Sequence, residues 1–446
     1  MSDPSATPRL RHRLQQYWPT LRRRGLFLVG GVVVGLLAVA MALLADQAQA
    51  LFSNVHGRWR YAPILLTPAG FALAAWLTRR FFDGAQGSGI PQVIAARELE
   101  TTETRRKLVS VKLGLAKIGL LLLGLATGAS SGREGPTVQV GAATMFFLGR
   151  IEPHRQPGLL LAGSAAGIAA AFNAPLAGII FGIEEMSRSF EQRSSILVLV
   201  TVIAAGLTSQ AILGDYTYFG TFSGTLSFGW QWLAVLVAIV VCGLLGGLFS
   251  RILILFAGGL PTLPGRLIGR HPVIFAACCG LLVALCGLAA GGSIFGTGYA
   301  QTRGILAGNG VPWAFGPLKL VATALSSISG IPGGIFSPSL AVGAGIAQDL
   351  SSLLPNIPVG MLAILCMAAY LSGVVQAPLT SAVIVSEMTA DHALIFPIMV
   401  ASLGAAAVSR LVCPDGVYHA LAERLLAKHQ PTPELPTSPV PEGPIP

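Results

Sequence analysis

"GREGPTVQVGA" at residues 132–142 and "GIFSPSLAVGA" at residues 334–344 lie at a constant offset of 202 positions. The same shift lays Lys117 on Lys319, Gly128 on Gly330, Gly132 on Gly334 and Pro136 on Pro338. A second block agrees at an offset of 203, with "NAPLAGIIFGIEEM" from Asn173 over "QAPLTSAVIVSEM" from Gln376. Two apolar segments match at some Gly and Ala by chance, but a shared Lys and two Pro-containing blocks at a near-constant offset mark an internal duplication. Duplicated membrane proteins are typically transporters, with sites on broken helices where the halves meet. The repeat alone leaves open whether the halves run parallel or inverted.

The surrounding chain is a membrane protein's. Of 446 residues, 53% are hydrophobic and 11% charged, with a mean hydropathy of +0.70, whereas soluble domains carry about a quarter charged residues. Apolar stretches long enough to cross or deeply enter a bilayer recur near 26–45, 61–77, 108–129, 157–183, 195–213, 230–256, 272–291, 340–385 and 394–412. Several are too long or too broken by Gly and Pro to be single straight helices, so the expected class is an all-α polytopic membrane protein. The net charge of +10 does not point to nucleic acid, because the basic residues fall mainly between the apolar stretches. Arg9, Arg11, Arg13, Arg22, Arg23 and Arg24 precede the first of them, which holds the N-terminus in the cytoplasm by the positive-inside rule. Arg97, Arg105, Arg106 and Lys107, and then Arg251, Arg266 and Arg270, share that side. A cleaved signal peptide is the competing reading, since Ala48-Gln49-Ala50 resembles a cleavage site, but the basic segment and the apolar run are both longer than a usual signal.

The expected organisation is a basic cytoplasmic segment over 1–24, a transmembrane domain over 25–412 with halves at about 25–214 and 228–412, a cytoplasmic-side helix over 413–430, and a disordered proline-rich tail over 431–446. The six cysteines lie in or beside apolar stretches, with no C-x-x-C and no His at ligand spacing, so packing is their expected role and no metal or cofactor is called for.

Three stretches place Gly four residues before Pro: "GSGIP" with Gly87, Gly89 and Pro91; "GREGP" with Gly132, Arg133, Gly135 and Pro136; and "GIFSP" with Gly334 and Pro338. Proline suits the first turn of a helix, and glycine allows a sharp turn into it. Each frame therefore reads as a helix start, which leaves unpaired N–H groups and the positive end of the helix dipole. Three such ends converging inside the protein make a site for a small anion, held by partial charges. Glu134 stands among these amides as the protein's own anion, in the place a transported anion takes. A carboxylate in mid-membrane costs about 2.5–3.5 kcal/mol on insertion scales, and a helix start lowers that cost. When protonated it loses its attraction to the amides, so proton binding and anion access become coupled. The bland reading is a re-entrant turn with an Arg133–Glu134 pair. Glu184, Glu185 and Glu387 each follow an apolar run. They are either interfacial helix-end carboxylates or, for one of the Glu184–Glu185 pair, an internal proton acceptor.

These residues resemble the CLC chloride channel and chloride/proton antiporter family: "GSGIP", "GREGPTVQVG", "NAPLAGIIFGIEEM", "GGIFSP" and "GVYHAL" match its pattern in order, from about residue 25 to 428. The resemblance is to a bacterial, ClcB-like member without the nucleotide-binding (CBS) tail domains. It implies inverted repeats of broken and re-entrant helices, a homodimer with one pore per subunit, and multi-pass residence in the bacterial inner membrane. It also implies chloride bound by the hydroxyls of Ser88 and Tyr418 and the backbone N–H groups of Ile335 and Phe336, with Glu134 as gate and Glu185 as internal proton acceptor. Channel members usually lack that second carboxylate, so exchange of chloride for protons is expected, with a passive voltage-gated chloride channel as the alternative. Gln92, Val93 and Ile94 replace acidic residues common after "GSGIP" in the family. A distant alternative is an intramembrane serine hydrolase, because "GASSG" at 128–132 satisfies G-x-S-x-G. That motif needs a preceding strand and a later His base, and the run before it is helical and apolar.

Overall fold

The computed structural model describes residues 6–151, 153–186, 195–214, 217–220, 222, 224–259, 262–391 and 393–429. The proline-rich tail lies outside the described residues. The first half comprises α1 (Ala6–Arg58), α2 (Pro63–Phe81), α3 (Ile90–Glu98), α4 (Thr102–Leu108), α5 (Val111–Ala126), α6 (Glu134–Leu148), α7 (Gln156–Phe172), α8 (Pro175–Glu184) and α9 (Ser195–Leu213). The second comprises α10 (Leu233–Ala257), α11 (Leu263–Arg270), α12 (Pro272–Ala289), α13 (Tyr299–Leu306), α14 (Phe315–Ile328), α15 (Phe336–Ser351), α16 (Val359–Val375), α17 (Pro378–Thr389) and α18 (Ile395–Val412). A last helix, α19 (Val417–His429), follows. The fold is all-α and polytopic. Among the described residues six helices are long and apolar enough to cross a bilayer, and the other apolar helices are shorter.

The long apolar runs at 157–183 and 340–385 are broken as their composition requires. Asn173 closes α7 with φ 54°, Ala174 is forced off the helical region by Pro175, and α8 begins at that proline. Gln376 (φ 59°), Ala377 and Pro378 repeat the break between α16 and α17. An αL residue at the end of a helix is ordinarily Gly or Asn, so a Gln there shows how firmly the second half keeps the geometry of the first.

The halves are inverted. Glu184, closing α8, accepts from the first amides of α17, Leu379 N–H at 3.0 Å and Thr380 N–H at 2.6 Å. Glu387, near the end of α17, accepts from Leu176 N–H at 3.1 Å and Ala177 N–H at 2.6 Å at the start of α8. Each helix caps the other's beginning with its end, which requires α8 and α17 to run antiparallel. Duplicated elements that meet antiparallel are related by an axis that reverses direction.

Small residues let the inner helices close up. A Cβ on Gly141 of α6 would run into the Gly163 carbonyl of α7, and one on Gly163 into the Gly141 carbonyl. Gly343 of α15 meets the backbone of Cys366 and Met367 of α16 in the same way. Backbone-to-backbone approach of this kind is how helices associate where lipid supplies no hydrophobic drive. Both α7 and α16 are buried along nearly their whole length, and they back the two helices that start at the centre.

Candidate functional site

All three Gly–Pro frames begin helices, and the three beginnings meet. Gly89, with φ 95°, caps α3 and Pro91 is its second residue; Pro136 and Pro338 are the third residues of α6 and α15, where no amide donor is missed. Gly132 N–H donates to the Gly334 carbonyl and Gly334 N–H to the Gly132 carbonyl, both at 2.8 Å. Gly87 N–H donates to the Ile331 carbonyl at 3.2 Å, and Gly333 N–H to the Gly87 carbonyl at 3.0 Å. A Cβ on Gly135 would lie 2.9 Å from the Ser88 Cβ and 3.3 Å from the Gly334 Cα, so glycine is the residue that lets the starts approach. Two fully buried lysines hold the approach loops. The Lys117 ammonium donates to the carbonyls of Ala85 (2.7 Å), Gln86 (3.3 Å) and Gly87 (2.8 Å), and Lys319 donates to those of Ile294 (2.9 Å) and Gly296 (2.7 Å). A buried charge is tolerable only when so satisfied.

Glu134 is 0% exposed, and it turns away from its own helix. Its carboxylate lies on the first turn of α15, accepting from the Ser337 hydroxyl at 2.5 Å and, at the long distance of 3.5 Å, from the Ser337 N–H. Its neighbour Arg133 goes the other way: Nη1 donates to the Ala42 carbonyl at 2.9 Å and pairs with Asp46 at 3.1 Å. The carboxylate of one half therefore rests on the helix start of the other.

Near the helix starts is a cavity of about 420 Å³ lined by Gly87, Ser88, Pro91, Ile335 and Tyr418, with Arg79, Arg424 and Lys428 also at its wall. A second cavity of about 280 Å³ is lined by Asp46, Arg133, Tyr218 and Tyr299. Glu134 lines neither. The Tyr418 side chain is buried, its ring stacked 6.0 Å from that of Phe336, and its hydroxyl makes no hydrogen bond of normal geometry among the described residues. The Ser88 hydroxyl accepts weakly from Ile90 N–H at 3.4 Å. An oriented hydroxyl without a firm partner, beside a helix start, is able to donate to an anion.

The three other acidic residues separate cleanly. Glu184 and Glu387 are the reciprocal caps described above. Glu185 points inward instead: its side chain is 5% exposed and its Oε1 lies 3.4 Å from Nδ1 of His419 on α19. The structure thus brings together Ser88, Glu134, Ile335, Phe336 and Tyr418 with the glycines and prolines of the frames, and places Glu185 against His419 of α19, within electrostatic reach of Tyr418. Reading the sequence missed Ser337 and His419, although both lie within quoted motifs. A hydroxyl one position from a predicted helix start, and an imidazole next to a predicted pore tyrosine, were the available signals. Ser130 of the G-x-S-x-G stretch has no nucleophile's surroundings: it is buried, follows helix α5, and shares a 2.9 Å hydrogen bond with the Thr323 hydroxyl.

The family model for the voltage gated chloride channel matches residues 70–410. The chain is 34% identical to the H(+)/Cl(−) exchange transporter ClcA of Yersinia pseudotuberculosis serotype IB (strain PB1/+), over 90% of this chain and 87% of that one. It is 35% identical to the H(+)/Cl(−) exchange transporter ClcA of Yersinia pestis bv. Antiqua (strain Angola), with the same coverage. Among solved structures it resembles a slow cyanobacterial Cl−/H+ antiporter, with a TM-score of 0.78 at 25% identity over 91% of this chain and 98% of the other. A CLC-type fluoride/proton antiporter shares the fold with a TM-score of 0.75 at 22% identity over 91% and 98% of the two chains.

Proposed function

The chain belongs to the voltage-gated chloride channel (CLC) family, and from that membership we propose that it transports chloride across a bacterial inner membrane in exchange for protons, with Glu134 as the gate. Members of the family move ions and do not hydrolyse bonds, which sets the serine hydrolase aside. The observation that carries the proposal is the Glu134 carboxylate lying on the start of α15. An anion held there by helix-start partial charges occupies the same place as the carboxylate, so the two exclude each other. Protonation cancels the carboxylate's charge, frees it to swing away, and opens the place to chloride. Chloride reaches it from the larger cavity past Ser88 and Tyr418, with the amides of Ile335 and Phe336 at the helix start. Arg79, Arg424 and Lys428 favour anions at the cavity mouth. Glu185 serves as the proton acceptor on that side; a passive pore has no use for a second buried carboxylate.

The positive-inside rule supports a cytoplasmic N-terminus, since Arg22, Arg23 and Arg24 precede the first apolar run. A homodimer is supported by the α8/α17 pair. Glu184 and Glu387 are only partly buried there, on a face with the exposed apolar residues Leu176, Leu379, Ile196 and Phe396. Carboxylates open to hydrocarbon are costly, and a second copy covers both them and the apolar rim. The relatives reported above carry the ClcA name, which supports the bacterial exchangers as a group; a ClcB-like subtype within it rests on motif resemblance alone.

The test is transport in liposomes. Given only a chloride gradient, the wild-type protein should drive protons uphill, and Glu134→Gln, whose amide imitates a permanently protonated gate, should pass chloride without protons. A wild type that reverses at the chloride potential whatever the proton gradient would establish the channel reading instead.

A further inference from the structure

We propose that His419 is the relay that passes protons between cytoplasmic water and Glu185; this rests on the exchange reading above and adds a residue to it. The Glu185 side chain, at 5% exposed, is nearly shut off from water, whereas that of His419, at 27% exposed, still touches it. The two side chains meet at 3.4 Å, Nδ1 to Oε1, and that oxygen has no hydrogen bond of normal geometry among the described residues. An acceptor so placed needs a partner that reaches water. The imidazole, in contact with the carboxylate through Nδ1 and partly exposed, lies between the two.

The position of His419 on α19 sets its direction apart from that of Tyr418. Tyr418 and His419 are successive residues of a helix, so their side chains diverge by about 100°. Tyr418 faces the 420 Å³ cavity, while neither His419 nor Glu185 lines it. One residue step therefore directs Tyr418 to the cavity and His419 to the carboxylate. Among the described residues, the remaining charged neighbours do not replace the imidazole. Glu184 acts on Glu185 through its charge but is spent on the amides of α17. Of the helices packed against α19, α3 carries Arg97 and Glu98, α10 carries Arg251, and α16 carries only the buried Cys366 and Tyr370. Arg97 donates to the Pro157 carbonyl. On α19 itself, Glu423 and Arg424 lie a turn further on, with Arg424 donating to the Ile254 carbonyl.

In the relay, a proton from water binds Nε2 and gives the imidazolium. The Nδ1–H bond then breaks as the Oε1–H bond forms, leaving a neutral ring and a neutral carboxyl group. A turn of the ring returns its bare nitrogen to water. One proton has moved and no other bond has changed.

The experiment measures proton and chloride flux together in liposomes containing wild type, His419→Ala, His419→Gln or Glu185→Gln. Both His419 variants should lower the proton-to-chloride flux ratio by about tenfold or more, since a positioned proton-transfer group contributes about 10²–10⁴-fold. Imidazole added on the cytoplasmic side should restore the ratio in His419→Ala and not in Glu185→Gln. A packing role would not respond to a free base. If Glu185→Gln uncouples the protein while both His419 variants keep the wild-type ratio, the relay is wrong and the exchange reading stands. A wild type that moves no protons overturns both. Should His419→Ala fail to fold, the ratio in His419→Gln decides.

Discussion

The hydroxyl of Ser337 donates to the Glu134 carboxylate, and a hydrogen bond to a charged group contributes about 1.5–3 kcal/mol. Removing it weakens the protein's own anion in its competition with chloride. Ser337→Ala should therefore bind chloride up to about tenfold more tightly by calorimetry, a factor of ten being about 1.4 kcal/mol; unchanged or weaker binding would show that this hydroxyl does not hold the gate. Tyr418→Ala should act in the opposite sense, weakening chloride binding without loss of folded protein on size exclusion, because it removes a donor and leaves the helix starts intact. Much of this site was legible in the sequence, because glycine, proline and a carboxylate in an apolar chain are each costly unless they serve a geometry. Ser337 was not, since a serine beside a proline is cheap anywhere in a helix's first turn. The sequence also could not divide Glu184 from Glu185: adjacent residues at a helix end differ only in direction, and direction comes from what packs around them.

Between helices, the reciprocal caps joining α8 and α17 make a quantitative expectation. A carboxylate on helix-start amides contributes up to about 2 kcal/mol when partly buried. Glu184→Ala and Glu387→Ala should each lower thermal stability in detergent by a similar, modest amount while leaving chloride and proton fluxes coupled. A large inequality between them, or uncoupling by Glu184→Ala, would contradict a shared structural role. Gly141→Ala should be worse than either, because its Cβ meets a carbonyl oxygen of α7 and the only relief is to move the helix that Glu134 begins. The sequence marked the runs at 157–183 and 340–385 as too long for single helices, and Asn-Ala-Pro and Gln-Ala-Pro are where they break. That the broken pieces cap one another across the repeat depends on two residues about two hundred positions apart, which no local pattern records.

At the scale of the whole molecule, duplication was visible as a constant offset, but its hand was not, because offset carries no direction. The antiparallel meeting of α8 and α17 supplies it. The two protein halves then face opposite sides of the membrane, and the exposed apolar face beside Glu184 and Glu387 should be the one a second copy covers. Cysteine pairs introduced at Leu176 or Ile196, on this face, should cross-link between subunits in native membranes, whereas a pair at Leu285 on α12 should not; the reverse result would move the interface. The mutual bonds of Gly132 and Gly334 have one more consequence. They join the positive ends of α6 and α15, helices that the inverted repeat sends in opposite directions through the bilayer, so their dipoles oppose along the membrane normal. An applied voltage pulls equally and oppositely on the two, and the scaffold is electrically balanced. A full elementary charge crossing the membrane gains about 2.3 kcal/mol per 100 mV, and what remains free to respond is the swinging carboxylate and the ions it admits. The current–voltage curve of Glu134→Gln should accordingly be shallower than that of the wild type, the field having lost the charge that swings at the gate.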